Sequence, residues 1–160
     1  MPGVFPYAHL VTGVLVLVVG FVFHWIGQLI SLYNWDFATR IGLQEPGMPP
    51  EYKVYEHALA VADVAIGWTY GIAGVGLILD TSWGYAFAWF PGVVLTYHSI
   101  SAWFWHRNQQ KSGQHMVSDS FRIVWCVANF VSGALTISVA WNAIESHEKC
   151  DSERSYKAHE

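Results

Sequence analysis

Charge is what this chain has least of. From Met1 to Tyr33 there is not one Asp, Glu, Lys or Arg, and over all 160 residues charged side chains make up 12%. A soluble domain carries about a quarter. The shortage works against a soluble helical bundle, whose helices need a polar face toward water. Cations are scarcer still, with 8 Lys and Arg against 12 Asp and Glu, and they form no basic stripe, which removes nucleic acid as a partner. Cysteine is nearly absent. Cys126 and Cys150 lie too far apart along one helix to bridge, so neither a disulfide framework nor a thiolate metal site is indicated. No internal repeat is evident.

What the chain does have is long apolar runs. Hydrophobic residues account for 53% of it, gathered in four stretches at 7–33, 52–79, 84–105 and 117–144. Each exceeds the roughly 20 residues that a helix needs to cross hydrocarbon. The length suits one domain. The expectation is an all-α integral membrane protein, an antiparallel bundle of four transmembrane helices over residues 1–145, with a charged, solvated tail at 146–160. The first run reads as a retained helix: it is too long for a cleaved signal peptide and has no basic residues before it. Residues 34–51 read as an interfacial segment, with a short helix in NWDFATRIG that pairs Asp36 with Arg40 at i, i+4. The prolines of GMPPEY sit where a helix starts, and Ser118 or Asp119 is the natural N-cap of the fourth span.

Four crossings put both termini on one side. The two longer loops on the other side, with the adjoining helix ends, hold Arg40, Lys53, Arg107, Lys111 and Arg122. The positive-inside rule places those loops in the cytoplasm and the termini outside, in a plasma or inner membrane.

Helical spacing sorts the faces. On span two, Glu56, Ala60, Asp63, Gly67, Gly71 and Gly74 share one side, a small-residue stripe suited to close helix contact in lipid. Span one aligns Gly13, Gly20, His24, Gly27 or Gln28, and Ser31. Span three aligns Pro91, Val94, His98, Ser101 and Trp105. Span four aligns Ser118, Arg122, Trp125, Asn129, Ser132 or Gly133, and Thr136. At 1.5 Å per residue, His24 and His98 lie about 13 and 10 Å from the cytoplasmic ends of their spans. His24, Gln28, Glu56, Asp63, Tyr97, His98, Ser101, Arg122 and Asn129 thus collect in one leaflet as a single intramembrane site.

An ionisable residue at mid-helix costs roughly 2.5–3.5 kcal/mol to insert, which makes each a functional candidate. Asp63, His98, Glu56 and His24 are the acid/base candidates, with Arg122 as the counter-ion that lets Glu56 or Asp63 ionise. Gln28, Tyr97, Ser101, Asn129, Trp25, Trp68 and Trp125 are the candidates to line a pocket. The bland alternative for each is interhelical hydrogen bonding or, for Glu56, pairing at the interface with Lys53 or Arg122. His57 points away from the others and reads as an interface residue. Trp35, Trp83, Trp103, Trp105 and Trp141 read as an interfacial belt.

Apolar walls around a few convergent polar groups suit a lipophilic small molecule, quinone-, sterol- or lipid-like, bound or transformed by acid/base chemistry. The four-span layout, the acidic residue early in span two, the run from Gly67-Trp68 through Gly71-Ile72-Ala73-Gly74-Val75-Gly76-Leu77, the Trp83-Gly84 turn and the aromatic third span resemble the DoxX-like small membrane proteins. That resemblance implies a role beside quinone-linked oxidoreductases. A more distant likeness in topology is to EXPERA-type four-helix proteins, which implies sterol binding or isomerisation. Neither carries over a catalytic residue. Three further readings stay open: haem b on His24 and His98, a mixed nitrogen and oxygen metal site, and a non-enzymatic subunit of a larger membrane complex or homo-oligomer.

Overall fold

A computed structural model describes residues 5–113 and 118–157, with side chains for 5–113 and 118–145. The described residues are all-helical, with no strand among them. Four long helices dominate. The first runs over Ala8–Tyr33, the second over Pro50–Ile78, the third over Ser82–Lys111 and the fourth over Asp119–Lys157. A short helix, Trp35–Arg40, follows the first. The backbone of 146–157 continues the fourth helix. The side chains of that stretch, and residues 158–160, lie outside the described residues, and with them the expectation of a solvated tail and the environment of Cys150.

Local chemistry sets the boundaries. Asn34 caps the short helix by accepting from the Phe37 N–H at 2.9 Å. Arg40 reaches back to the Asp36 backbone carbonyl at 3.3 Å, where the sequence suggested a carboxylate partner. Pro50 opens the second helix at its first turn, where a missing N–H costs nothing. The turn into the third helix is held by Thr81, whose hydroxyl donates to the Gly76 carbonyl and accepts from the Gly84 N–H. Ser118 accepts from the Phe121 N–H at 3.4 Å, as expected of an N-cap.

Among the described residues, three helices are long and apolar enough to cross a membrane: Ala8–Tyr33, Pro50–Ile78 and Asp119–Glu145. The third long helix, expected as a span, is 30 residues long yet falls short on apolarity, because aromatic, hydroxyl and histidine side chains take the place of aliphatic ones. It packs along the second helix and, most extensively, the fourth.

The pairing is antiparallel. Gly13 lies against Gly74 and Ile78, Gly20 against Tyr70, and Trp25 against Gly67. On the other side Gly92 lies against Ile137 and Ser99 against the Cys126 carbonyl. The interior holds small and hydroxyl residues such as Ala60, Ala73, Ala88, Ala140, Thr12, Ser132 and Thr136, while Val14, Val22, Phe90, Val124 and Phe130 point outward. This reverses the soluble pattern and is the arrangement lipid favours.

Candidate functional site

The first helix is not regular. Over Val16–Ile26 its turns widen to π-helical, a form that concentrates at functional sites. The Gly27 N–H reaches the Val22 carbonyl five residues back. Thr12, Val16, Gly20 and His24 are all buried at a spacing of four, and the His24 ring is directed into the bundle.

Each long helix delivers one polar group to the same place. His24 comes from the first, Asp63 from the second, His98 from the third and Asn129 from the fourth. His24 Nε2 lies 2.6 Å from Asn129 Oδ1. His98 Nε2 lies 3.3 Å from Asp63 Oδ1, with 20% and 13% of the two side chains exposed. The imidazole centroids are 4.7 Å apart. Potential ligand atoms of His24, Asp63 and His98 all lie within 4.8 Å of one another. Gln28 Nε2 donates to Asp63 Oδ2 at 3.4 Å.

The Asn129 carboxamide has a fixed sense. Its Nδ2 donates to the Trp125 carbonyl at 2.8 Å, so Oδ1 faces His24 and can only accept. His24 Nε2 must then carry the proton, which leaves the lone pair on Nδ1. Trp125 also covers the His24 ring at 5.0 Å.

Not every expected residue joins the cluster. Arg122 pairs with neither Glu56 nor Asp63; it meets Glu45, which the loop folds back against the fourth helix. Glu56 is half-buried; its main neighbours are Tyr52, Glu45 and Arg122, and of the cluster it senses Asp63 but not the histidines. Trp68 faces out, 47% exposed, and its indole is used locally on the Ala65 carbonyl, so it lines nothing inside. Tyr97 is 62% exposed, although its ring edges that of His98 at 5.8 Å. Ser101 donates to the carbonyl of His98, not to a pocket. Trp25 packs on Phe21 and Gly67 and donates to the Val64 carbonyl, as part of the helix interface. His57 is exposed, as expected of an interface residue.

Two loop residues were missed. Gln44 is buried and donates to Ser31 Oγ at 3.0 Å and to Gln28 Oε1 at 3.5 Å, which continues the polar chain outward from Asp63. Glu45 is the second. The only signal was their place between Gly42 and Gly47, both at positive φ, where a chain reverses. A further pair, His106 with Asp119 at 2.9 Å, ties the end of the third helix to the start of the fourth.

Two rings this close leave no room for a macrocycle between them, so His24 and His98 do not fit as the two axial ligands of a haem. No protein-family model, curated protein or solved structure matches the chain.

Proposed function

We propose that this chain is an integral membrane protein with four spans. The third helix is counted as a span because it must return the chain from the far end of the second helix to the near end of the fourth. At 1.5 Å per residue its length is about 45 Å, enough for the crossing. On the distribution of Lys and Arg, the connecting loops face the cytoplasm and the termini the outside. The interior cluster is the working site, in the cytoplasmic leaflet. It binds or transforms a lipophilic small molecule of quinone-, sterol- or lipid-like kind, with Asp63, His98 and His24 as the groups that handle protons.

The observation that carries this reading is the convergence of His24, Asp63, His98 and Asn129 from four different helices. Helix-to-helix bonding in membranes contributes about 0.6 kcal/mol on average per contact. A neutral pair does that work as well, without the insertion cost of a carboxylate. Asp63 and His98 also stay partly open, which a reacting pair requires and a purely internal contact does not. Kinship with DoxX-like proteins remains part of the proposal and rests on the residues quoted above.

The test is extraction and mass analysis of lipophilic molecules carried by the detergent-purified protein. The unaltered protein is expected to retain a defined molecule that Asp63→Asn and His98→Gln each lose at unchanged melting temperature. The double variant should lose no more, since groups that act as one unit fail once. Separate, additive losses of stability at the two positions, with no bound molecule in any sample, would leave the cluster as internal packing of a complex subunit.

A further inference from the structure

We infer that His24, Asp63 and His98 bind one divalent transition-metal ion of the zinc, iron(II) or manganese kind, which serves as the cofactor of the site proposed above. The inference rests on that cluster being the working site and changes what its side chains do: with the ion bound, His24, Asp63 and His98 are ligands rather than proton carriers, and proton handling passes to the molecule in the open position. In a tetrahedral shell with bonds of about 2.0–2.2 Å, donor atoms sit about 3.4 Å from one another. His98 Nε2 and Asp63 Oδ1 already stand at 3.3 Å. One potential ligand atom from each of the three residues lies within 4.8 Å of the other two, little more than the spacing a tetrahedral shell needs.

Donor chemistry narrows the ion. Two imidazoles and one carboxylate are too nitrogen-rich for magnesium or calcium, and the absence of sulfur disfavours copper(I). Three protein donors also leave a position open, as catalytic sites do. Around them stand Gln28, bonded to Asp63, and Asn129, bonded to the His24 ring. Such neighbours set ligand orientation and affinity. Glu56 and the Glu45–Arg122 pair lie outside the donor set.

Charge points to the ligand. Two neutral imidazoles and one carboxylate leave a divalent ion with one uncompensated positive charge in a low-dielectric interior. The open position therefore favours a lipophilic molecule that presents an anionic oxygen or a polarisable carbonyl.

The experiment is elemental analysis of detergent-purified protein, followed by cobalt(II) titration after chelator treatment. The expected result is stoichiometric zinc, iron or manganese, and visible cobalt bands of a low-coordinate site. Both should be lost in Asp63→Asn and His98→Gln and kept in His57→Gln, whose ring is exposed away from the cluster. Unaltered protein that holds no stoichiometric metal and gives no cobalt bands overturns the inference, whether or not the variants fold. Metal retained at full stoichiometry in folded Asp63→Asn and His98→Gln overturns it as well. A metal-free protein that still carries its lipophilic molecule would sink the metal and leave the proposed function standing.

Discussion

Glu45 and Arg122 meet across 77 residues of sequence, with 13% and 12% of their side chains exposed. One oxygen of the carboxylate and the Nε of the guanidinium have no hydrogen-bond partner among the described residues. The pair thus stands on its mutual charge. Removing one partner from a buried ion pair costs about 3–5 kcal/mol, because the survivor is left uncompensated. Arg122→Gln is therefore expected to destabilise the protein by that amount in detergent unfolding. Glu45→Gln combined with Arg122→Gln should recover most of the loss. A cost below about 1 kcal/mol for the single change would mean the pair is solvated. The same pair shows why site details escaped the sequence. Arg122 was legible as an inward residue of a helix, since helical period fixes direction. Its partner lies in a loop, where no period exists, and only the turns at Gly42 and Gly47 hint that the chain comes back.

Helix faces were the most legible level. Each inward stripe drawn from spacing, on all four long helices, is buried or half-buried apart from Ser118 at the very start of the fourth, because alternation of small and branched residues records which side meets protein and which meets lipid. What spacing does not record is how the glycines are used. Along the first and second helices they are sockets. A Cβ at Gly67 would fall 2.5 Å from Trp25, one at Gly71 2.8 Å from Phe21, and one at Gly20 2.6 Å from Tyr70. Nor does a regular helical period anticipate the widened turns that orient His24. The sockets make a sharp prediction. Gly67→Leu and Gly71→Leu should each destabilise by about 1–3 kcal/mol or prevent accumulation, since a rigid ring must leave its seat. Val75→Leu, on the outward face and 45% exposed, should change stability by no more than about 0.5 kcal/mol. Equal tolerance at both kinds of position would contradict the interlocked first and second helices.

For the molecule as a whole, the inside-out distribution of side chains and three apolar helices argue for a bilayer, while the direction of insertion comes from charge alone. The interior cluster lies toward the end of the bundle that carries the Gln44–Glu45 loop and the His106–Asp119 contact. That end also holds Arg40, Lys53, Arg107 and Lys111. If basic residues keep it in the cytoplasm, the His24–Asp63–His98 cluster lies nearer the cytoplasmic side, from which the lipophilic molecule proposed for it would enter. The consequence is measurable with a membrane-impermeant thiol reagent on intact cells. Cys150 should be labelled, because the tail then lies outside. A cysteine introduced at Ser112, in the loop after the third helix, should be labelled only once the membrane is opened. Buried Cys126 should stay silent in both conditions and serves as the internal control. The opposite labelling pattern would turn the bundle over and place the polar cluster in the outer leaflet, where the proposed molecule would enter from the exterior.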